Sequence, residues 1–350
     1  MKKLLALLLC AVLCLSLAAC ASNTATTTTG TTETTVEPAA EETASSDAST
    51  ETAQPAADAK QYVVGICQLV QHDALDAATN GFMDALNEAL PGQVTFDLKN
   101  ASNDIPTCGT IVTGFVASNV DLILANATPA LQAASTATQT IPILGTAVTE
   151  YGVALDIKDF NGTVGGNISG TSDLAPLDQQ ADMLLELLPE AQNVGILYCS
   201  AEANSVYQAD VVKAALEEKG VTVTVYTFAD SNDVATVTQT ACAENDALYI
   251  PTDNTAASCT EAINNVAEPA GVPIVAGEEG ICKGCGIATL SIDYYELGKT
   301  TGAMAAKILT GEANVSEMPI EYYQNPVKKY DVARCEALGI TVPADYVAIG

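Results

Sequence analysis

The chain has 350 residues, with 43 acidic side chains against 13 basic ones, a formal charge of −30 and a single histidine. That balance excludes nucleic acid and an anionic membrane surface as binding partners and suits a well-solvated domain. It says nothing specific about a ligand.

The first element is MKKLLALLLCAVLCLSLAAC. Lys2 and Lys3 form a cationic start, and an apolar run follows from Leu4 to Leu17. A spanning helix needs roughly 20 apolar residues, so this shorter run reads as a secretory signal over 1–19. Leu17-Ala18-Ala19-Cys20 resembles the lipobox of bacterial lipoproteins, in which the cysteine is lipidated after cleavage. Cys20 is therefore the expected lipidation site, and the protein is expected to be exported and held on the outer face of the cell membrane. From 20 to 60 the sequence is almost wholly Ala, Thr, Ser, Glu, Asp and Pro. Such a segment buries too little apolar surface to offset its ordering entropy, and it reads as a disordered linker.

Beyond residue 60, β-branched runs alternate with amphipathic segments. Expected strands are 62–69, 94–100, 121–126 and 142–147, then 193–199, 221–228, 247–251 and 273–277. Their near-continuous hydrophobicity suits strands buried on both faces of a parallel sheet. In ALDAATNGFMDALNEAL, Leu75, Ala78, Phe82 and Leu86 recur at helical spacing, and Pro91-Gly92 ends the helix. The pattern runs once over about 61–165 and again over about 176–286. The fold class is therefore α/β, with two doubly wound Rossmann-like lobes and a ligand cleft between them at the carboxyl ends of the strands.

Eight cysteines lie beyond Cys20: Cys67, Cys108, Cys199, Cys242, Cys259, Cys282, Cys285 and Cys335. Most fall in expected strands or helices, where a thiol behaves as a small buried hydrophobe. Cys282-Lys283-Gly284-Cys285 has no second pair at zinc-site spacing, and it reads as a loop disulfide or two free thiols, with no metal expected.

CQLVQHDALDAATNGFMDAL, DLILANATPALQAA, SGTSDL, YCSAEANS, YIPTDNT, VAGEEG and SIDYYELGKTTGAMAAKIL, in this order, resemble the motifs of one ABC transporter substrate-binding family, which includes tryptophan and tyrosine importer receptors. The resemblance spans the chain after residue 60. CGTIVTGFV at 108–116 and the CKGC segment depart from it. It implies a type I periplasmic-binding-protein fold with crossings near 167–172, 287–292 and 319–325. The N-terminal lobe would then comprise 61–170 plus 292–320, and the C-terminal lobe 171–291 plus 321–350. It further implies capture of a hydrophobic or aromatic amino acid by a monomer and delivery to an ABC permease with its cytoplasmic ATPase. The alternatives are a receptor that presents its ligand to a sensor kinase or chemoreceptor, and an importer receptor for a sugar or nucleoside.

Strand ends that lead into helix starts gather short polar side chains and free backbone N–H groups. The candidates there are Gln68 and His72, Thr128, Thr146, Ser172 and Asp173, Asn204 and Ser205, Thr252, Asp253 and Asn254, and Glu278 and Glu279. For an amino-acid ligand, Thr128 and Ser205 suit the carboxylate. Asp253, then Asp173 or Glu278, suits the ammonium. Thr128, Ser205 and Asn254 are also ordinary helix caps. No GxSxG, GxxxxGK[ST] or helix-opening GxGxxG occurs, so no enzymatic activity and no cofactor are expected.

Overall fold

The computed structural model describes residues 60–349; the expected signal, Cys20 and the linker up to residue 59 lie outside the described residues. The first half contains β1 (Tyr62–Gln68), α1 (Asp73–Ala89), β2 (Val94–Asn100), α2 (Ile105–Ala117), β3 (Leu122–Asn126), α3 (Thr128–Ala137), β4 (Ile143–Val148), α4 (Tyr151–Ala154) and β5 (Ile168–Ser172). The second contains α5 (Leu177–Leu187), β6 (Asn193–Cys199), α6 (Ala203–Glu218), β7 (Thr222–Phe228), α7 (Val234–Glu244), β8 (Ala247–Ile250), α8 (Asn254–Ser258), α9 (Thr260–Ala270), β9 (Ile274–Ala276), α10 (Glu279–Cys285) and β10 (Ala288–Ser291). The closing elements are α11 (Tyr294–Thr310), β11 (Glu321–Tyr322), β12 (Val327–Asp331), α12 (Val332–Ala337) and β13 (Val347–Ile349).

Two sheets result, ordered β2-β1-β3-β4-β5-β11 and β7-β6-β8-β9-β10-β12-β13. The pairing is parallel throughout the first, and in the second only β10–β12 is antiparallel. In β3 the side-chain alternation of a strand divides the core. Leu122 and Leu124 join Phe82, Leu86 and Met304 on one face, while Ile123 and Ala125 join Val112, Phe115 and Leu131 on the other. The second sheet is likewise covered on both sides: Ile196 and Tyr249 pack with Leu184 and Val212, and Leu197 and Leu248 with Val234 and Ile263.

Helices α1 and α11 pack backbone to backbone. A Cβ on Gly298 would lie 2.0 Å from the Ala78 carbonyl oxygen, and one on Gly81 would lie 2.1 Å from that of Tyr295. Only glycine allows that approach. The contact returns a helix coded after residue 293 to the first lobe.

The expected crossings are themselves strands. Glu321 and Tyr322 pair with Thr171 and Ser172, so these four residues belong to the first sheet and not, as expected, to the C-terminal lobe. The ladder groups of β5 beyond Gly170 need partners, and β11 supplies them. CKGC is not a loop insert; it forms the last turn of α10, with Cys282 and Cys285 buried as free thiols. CGTIVTGFV lies within α2.

Candidate ligand-binding cleft

In both sheets the strand order reverses around the first strand of the lobe, β1 between β2 and β3, and β6 between β7 and β8. The crevice of such a sheet opens at the carboxyl ends of the strands beside that reversal. All of the expected site residues lie at those ends, at the helix starts that follow them or on the crossings. Two hydrogen bonds join the lobes there. His72 Nε2 meets Asn254 Oδ1 at 3.3 Å, and Asn103 Nδ2 donates to Thr255 Oγ1 at 3.0 Å.

Several expected contact residues are committed to the protein itself. Gln68 donates to the Val70 carbonyl and to Asp76 Oδ1, and accepts from Thr79 Oγ1 at 2.7 Å. Thr146 sits in a buried hydroxyl trio with Thr171 and Thr301. Ser172 Oγ donates to the Thr149 carbonyl and accepts from Leu174 N–H. Thr252 Oγ1 donates to the Gly277 carbonyl, and Ser205 accepts from Asn204 Nδ2. Glu278 caps α10, accepting from Gly280 N–H and Ile281 N–H, and burial pushes its carboxyl up to about 7. Glu279 is bonded to Lys283 and Lys329.

In Asp253 both oxygens are engaged by the protein's own backbone. Its Oδ1 accepts from Ala256 N–H and its Oδ2 from Cys199 N–H, both at 2.7 Å. The side chain therefore pins α8 to the end of β6 and has little left for an ammonium. Burial first, and then the neighbouring Glu202 carboxylate, push its carboxyl up to about 8.

A different subset keeps unpaired atoms in the protein interior, where each unmade hydrogen bond is costly. These atoms are His72 Nδ1, Asn126 Oδ1, Thr128 Oγ1, Asp173 Oδ1 and Asn204 Oδ1; Thr289 Oγ1, inside the second sheet, is the remaining one among the described residues. Asn254 Nδ2 donates to Glu202, so Asn254 Oδ1 must accept the proton of His72 Nε2, leaving Nδ1 as a bare acceptor. Burial pushes the His72 imidazole down, in keeping with the neutral ring. Asn126 Nδ2 donates to the Leu75 carbonyl and Asn204 Nδ2 to that of Thr252, so in both amides the free atom is the oxygen. Asp173 Oδ2 accepts from Tyr294 Oη at 3.0 Å while Oδ1 stays unpaired, and burial pushes this carboxyl up. The cleft edge thus offers four bare acceptors and one hydroxyl. Thr128 opens α3 behind Ala127, whose φ of 90° is unusual for a residue with a side chain, and no side chain caps that helix.

Glu202 was not among the expected residues. It stands at the N-cap of α6 without capping it. Its carboxylate, 1% exposed, accepts instead from Asn254 N–H and Nδ2 and from Thr255 N–H and Oγ1. In YCSAEANS it reads as an ordinary first-turn acid. The one available signal is an acid at a strand-to-helix turn facing a second such turn in YIPTDNT.

Two doubly wound lobes joined by three crossings, with unpaired polar groups buried at their facing strand ends, define a two-lobed solute-binding protein of the type I periplasmic-binding-protein fold. Residues 63–347 match the family described as ABC transporter substrate binding protein, and the chain belongs to that family of binding proteins. It is 36% identical over 264 residues to a tyrosine-binding protein of Clostridioides difficile (strain R20291), covering 75% of this chain and 76% of that one. Among solved structures, a domain from Streptococcus pneumoniae in complex with L-Trp is similar, with a TM-score of 0.78 at 31% identity, covering 81% of this chain and 97% of that one. A ligand-free, open substrate-binding protein with adhesive properties from Clostridium difficile has a TM-score of 0.63 at 35% identity, covering 82% and 99%. The more identical of the two structures overlays less well. In this chain the His72–Asn254 and Asn103–Thr255 bonds bring the two lobes into contact.

Proposed function

We propose that the protein is the extracytoplasmic, lipid-anchored receptor of an ABC importer for an aromatic amino acid, which it captures by hinge closure and passes to the permease. The carrying observation is the set of unpaired buried atoms at the cleft edge. An ammonium has three donors and no acceptor, and the free oxygens of Asp173, Asn126 and Asn204 are acceptors. Asp173 supplies the opposite charge. A carboxylate is matched by Thr128 Oγ1 and by the uncapped N–H groups that open α3. Asp253, the first choice by position, is replaced in this role by Asp173, because only Asp173 has an oxygen to spare. The names of the two ligand-defined relatives, one tyrosine-binding and one solved with L-Trp, support an aromatic side chain. Among the described residues no helix is long and apolar enough to cross a membrane, and attachment is assigned to a lipidated Cys20.

A thermal-shift series tests the ligand. L-Tyrosine and L-tryptophan should raise Tm, saturating ligand at about 100 times Kd adding about 2.7 kcal/mol. Tyramine, lacking the carboxylate, and 3-(4-hydroxyphenyl)propionate, lacking the ammonium, should not. A rise with D-glucose or uridine and none with any amino acid would sink the reading. For the anchor, the full chain should partition into detergent, and Cys20→Ser should move it to the aqueous phase. Equal partitioning of both would count against lipidation.

A further inference from the structure

We propose that Glu202 is the positioning residue for lobe closure: one buried carboxylate holds both second-lobe residues to which the first lobe bonds. His72 reaches Asn254, and Asn103 reaches Thr255. Glu202 Oε2 accepts from Asn254 N–H at 3.1 Å and Nδ2 at 2.6 Å, and Oε1 accepts from Thr255 N–H at 2.9 Å and Oγ1 at 2.8 Å. With Nδ2 held by Glu202, the Asn254 amide can turn only its oxygen toward His72. With the Thr255 hydroxyl proton given to Glu202, its lone pairs face Asn103. The carboxylate therefore sets the polarity of both interlobe bonds at once. Four donors on two oxygens also hold the α8 start rigid, so closure does not have to order it.

Closure is expected to be lost when this carboxylate is altered, even though Glu202 makes no hydrogen bond to a described residue of the first lobe. In Glu202→Gln, an NH₂ replaces one oxygen and faces donors, freeing Asn254 or Thr255 to turn. The inference rests on the two-lobed binding reading and not on the ligand being an amino acid. Small-angle X-ray scattering on the full chain, without ligand and with 1 mM L-tyrosine as probe, reads it as the radius of gyration. E202Q should be more open than wild type, as should the first-lobe double variant H72A/N103A. E202Q added to H72A/N103A should open it no further, because Glu202 reaches the first lobe only through the bonds already removed; its further bond, from Asn204 Nδ2 at 3.5 Å, stays within the second lobe. If L-tyrosine binds, its dissociation from E202Q should be about tenfold faster with association little changed. A wild-type radius for folded E202Q, or additive opening in the triple variant, overturns the proposal. Should E202Q fail to fold, Glu202→Asp, which keeps the charge but draws both oxygens back by one methylene from Asn254 and Thr255, takes its place, and a wild-type radius for folded E202D does the same. Failure of L-tyrosine to bind wild type counts against the ligand reading alone, since the unliganded radii are compared independently.

Discussion

Tyr294 Oη donates to Asp173 Oδ2 at 3.0 Å, tying the residue that opens α11 to the residue that follows β5, and so linking two of the three crossings between the lobes. The bond fixes the carboxylate plane and leaves Oδ1 buried and unpaired. Asp173→Asn keeps the shape and removes the charge. The expected loss is about 2–4 kcal/mol of affinity for L-tyrosine, or roughly 30- to 1000-fold, by isothermal titration calorimetry. The unliganded Tm should hold or rise, because a desolvated charge is gone. Undiminished affinity would remove Asp173 from the ammonium site.

The same carboxyl makes binding pH-dependent. Burial raises its pKa above the ordinary carboxylate range, and an arriving ammonium lowers it again. Affinity should therefore fall as pH drops through the raised pKa, and binding there should release protons. Calorimetry in two buffers of different ionisation enthalpy reads that release directly, and D173N should abolish it. Proton uptake would have the wrong sign.

Thr128 occupies the first position of α3, not the cap, and its hydroxyl is buried with no partner. Removing a donor that only the ligand uses costs affinity and not fold. Thr128→Val should weaken L-tyrosine by about 1–2 kcal/mol, roughly 5- to 30-fold, and leave the unliganded Tm equal or slightly higher. A clear drop in the unliganded Tm would show that the hydroxyl serves the fold instead.

Asp253 should behave in the opposite way. Its two oxygens accept from Cys199 and Ala256 N–H, and Asn can serve only one of them, so Asp253→Asn should cost about 1–3 kcal/mol of stability in urea. The wild-type carboxyl is raised to about 8, so the folded state holds its proton where the unfolded chain, near 3.9, has lost it. Its contribution is complete below about pH 4 and is lost as pH rises toward about 8. Glu278, raised to about 7, acts in the same direction. Urea midpoints between pH 5 and 8 should fall with rising pH in wild type, and less steeply in D253N.

The α1–α11 contact leaves no room for a side chain. Gly298→Ala puts a Cβ against the Ala78 carbonyl, backbone that cannot swing aside, and should cost about 3 kcal/mol or more. Gly109→Ala, whose Cβ meets nothing within 4 Å, is the helical control and should be neutral or stabilising by a few tenths. Similar melting temperatures for the two variants would contradict the close packing.

Much of the fold is carried by local pattern. The eight expected strands appear within a residue or so of their places; the inner ones are buried on both faces and must be continuously apolar, whereas β2 and β7 are exposed edges marked by their β-branched and aromatic residues. What local pattern could not separate was a strand from a crossing. Ile168–Ser172, Ala288–Ser291 and Glu321–Tyr322 are short, and the ladder partner that makes β11 a strand is about 150 residues away in sequence. The leader and the Leu17-Ala18-Ala19-Cys20 pattern are read from the sequence alone.

The site divides along the same line. Spacing points to the strand-to-helix turns, where His72, Thr128, Asp173 and Asn204 stand, since helix starts after parallel strands gather polar groups in any such fold. Which of those groups retains a free atom depends on partners brought together only by tertiary structure. Asp253 and Asp173 look alike as letters, yet one has both oxygens spent on backbone N–H groups and the other keeps one bare. Glu202, an ordinary helix-start acid in sequence, becomes the anchor of the interlobe bonds because α8 folds back onto it. The sequence determines where polar groups gather; the partners that saturate them, and so the atoms left for a ligand, are decided through space.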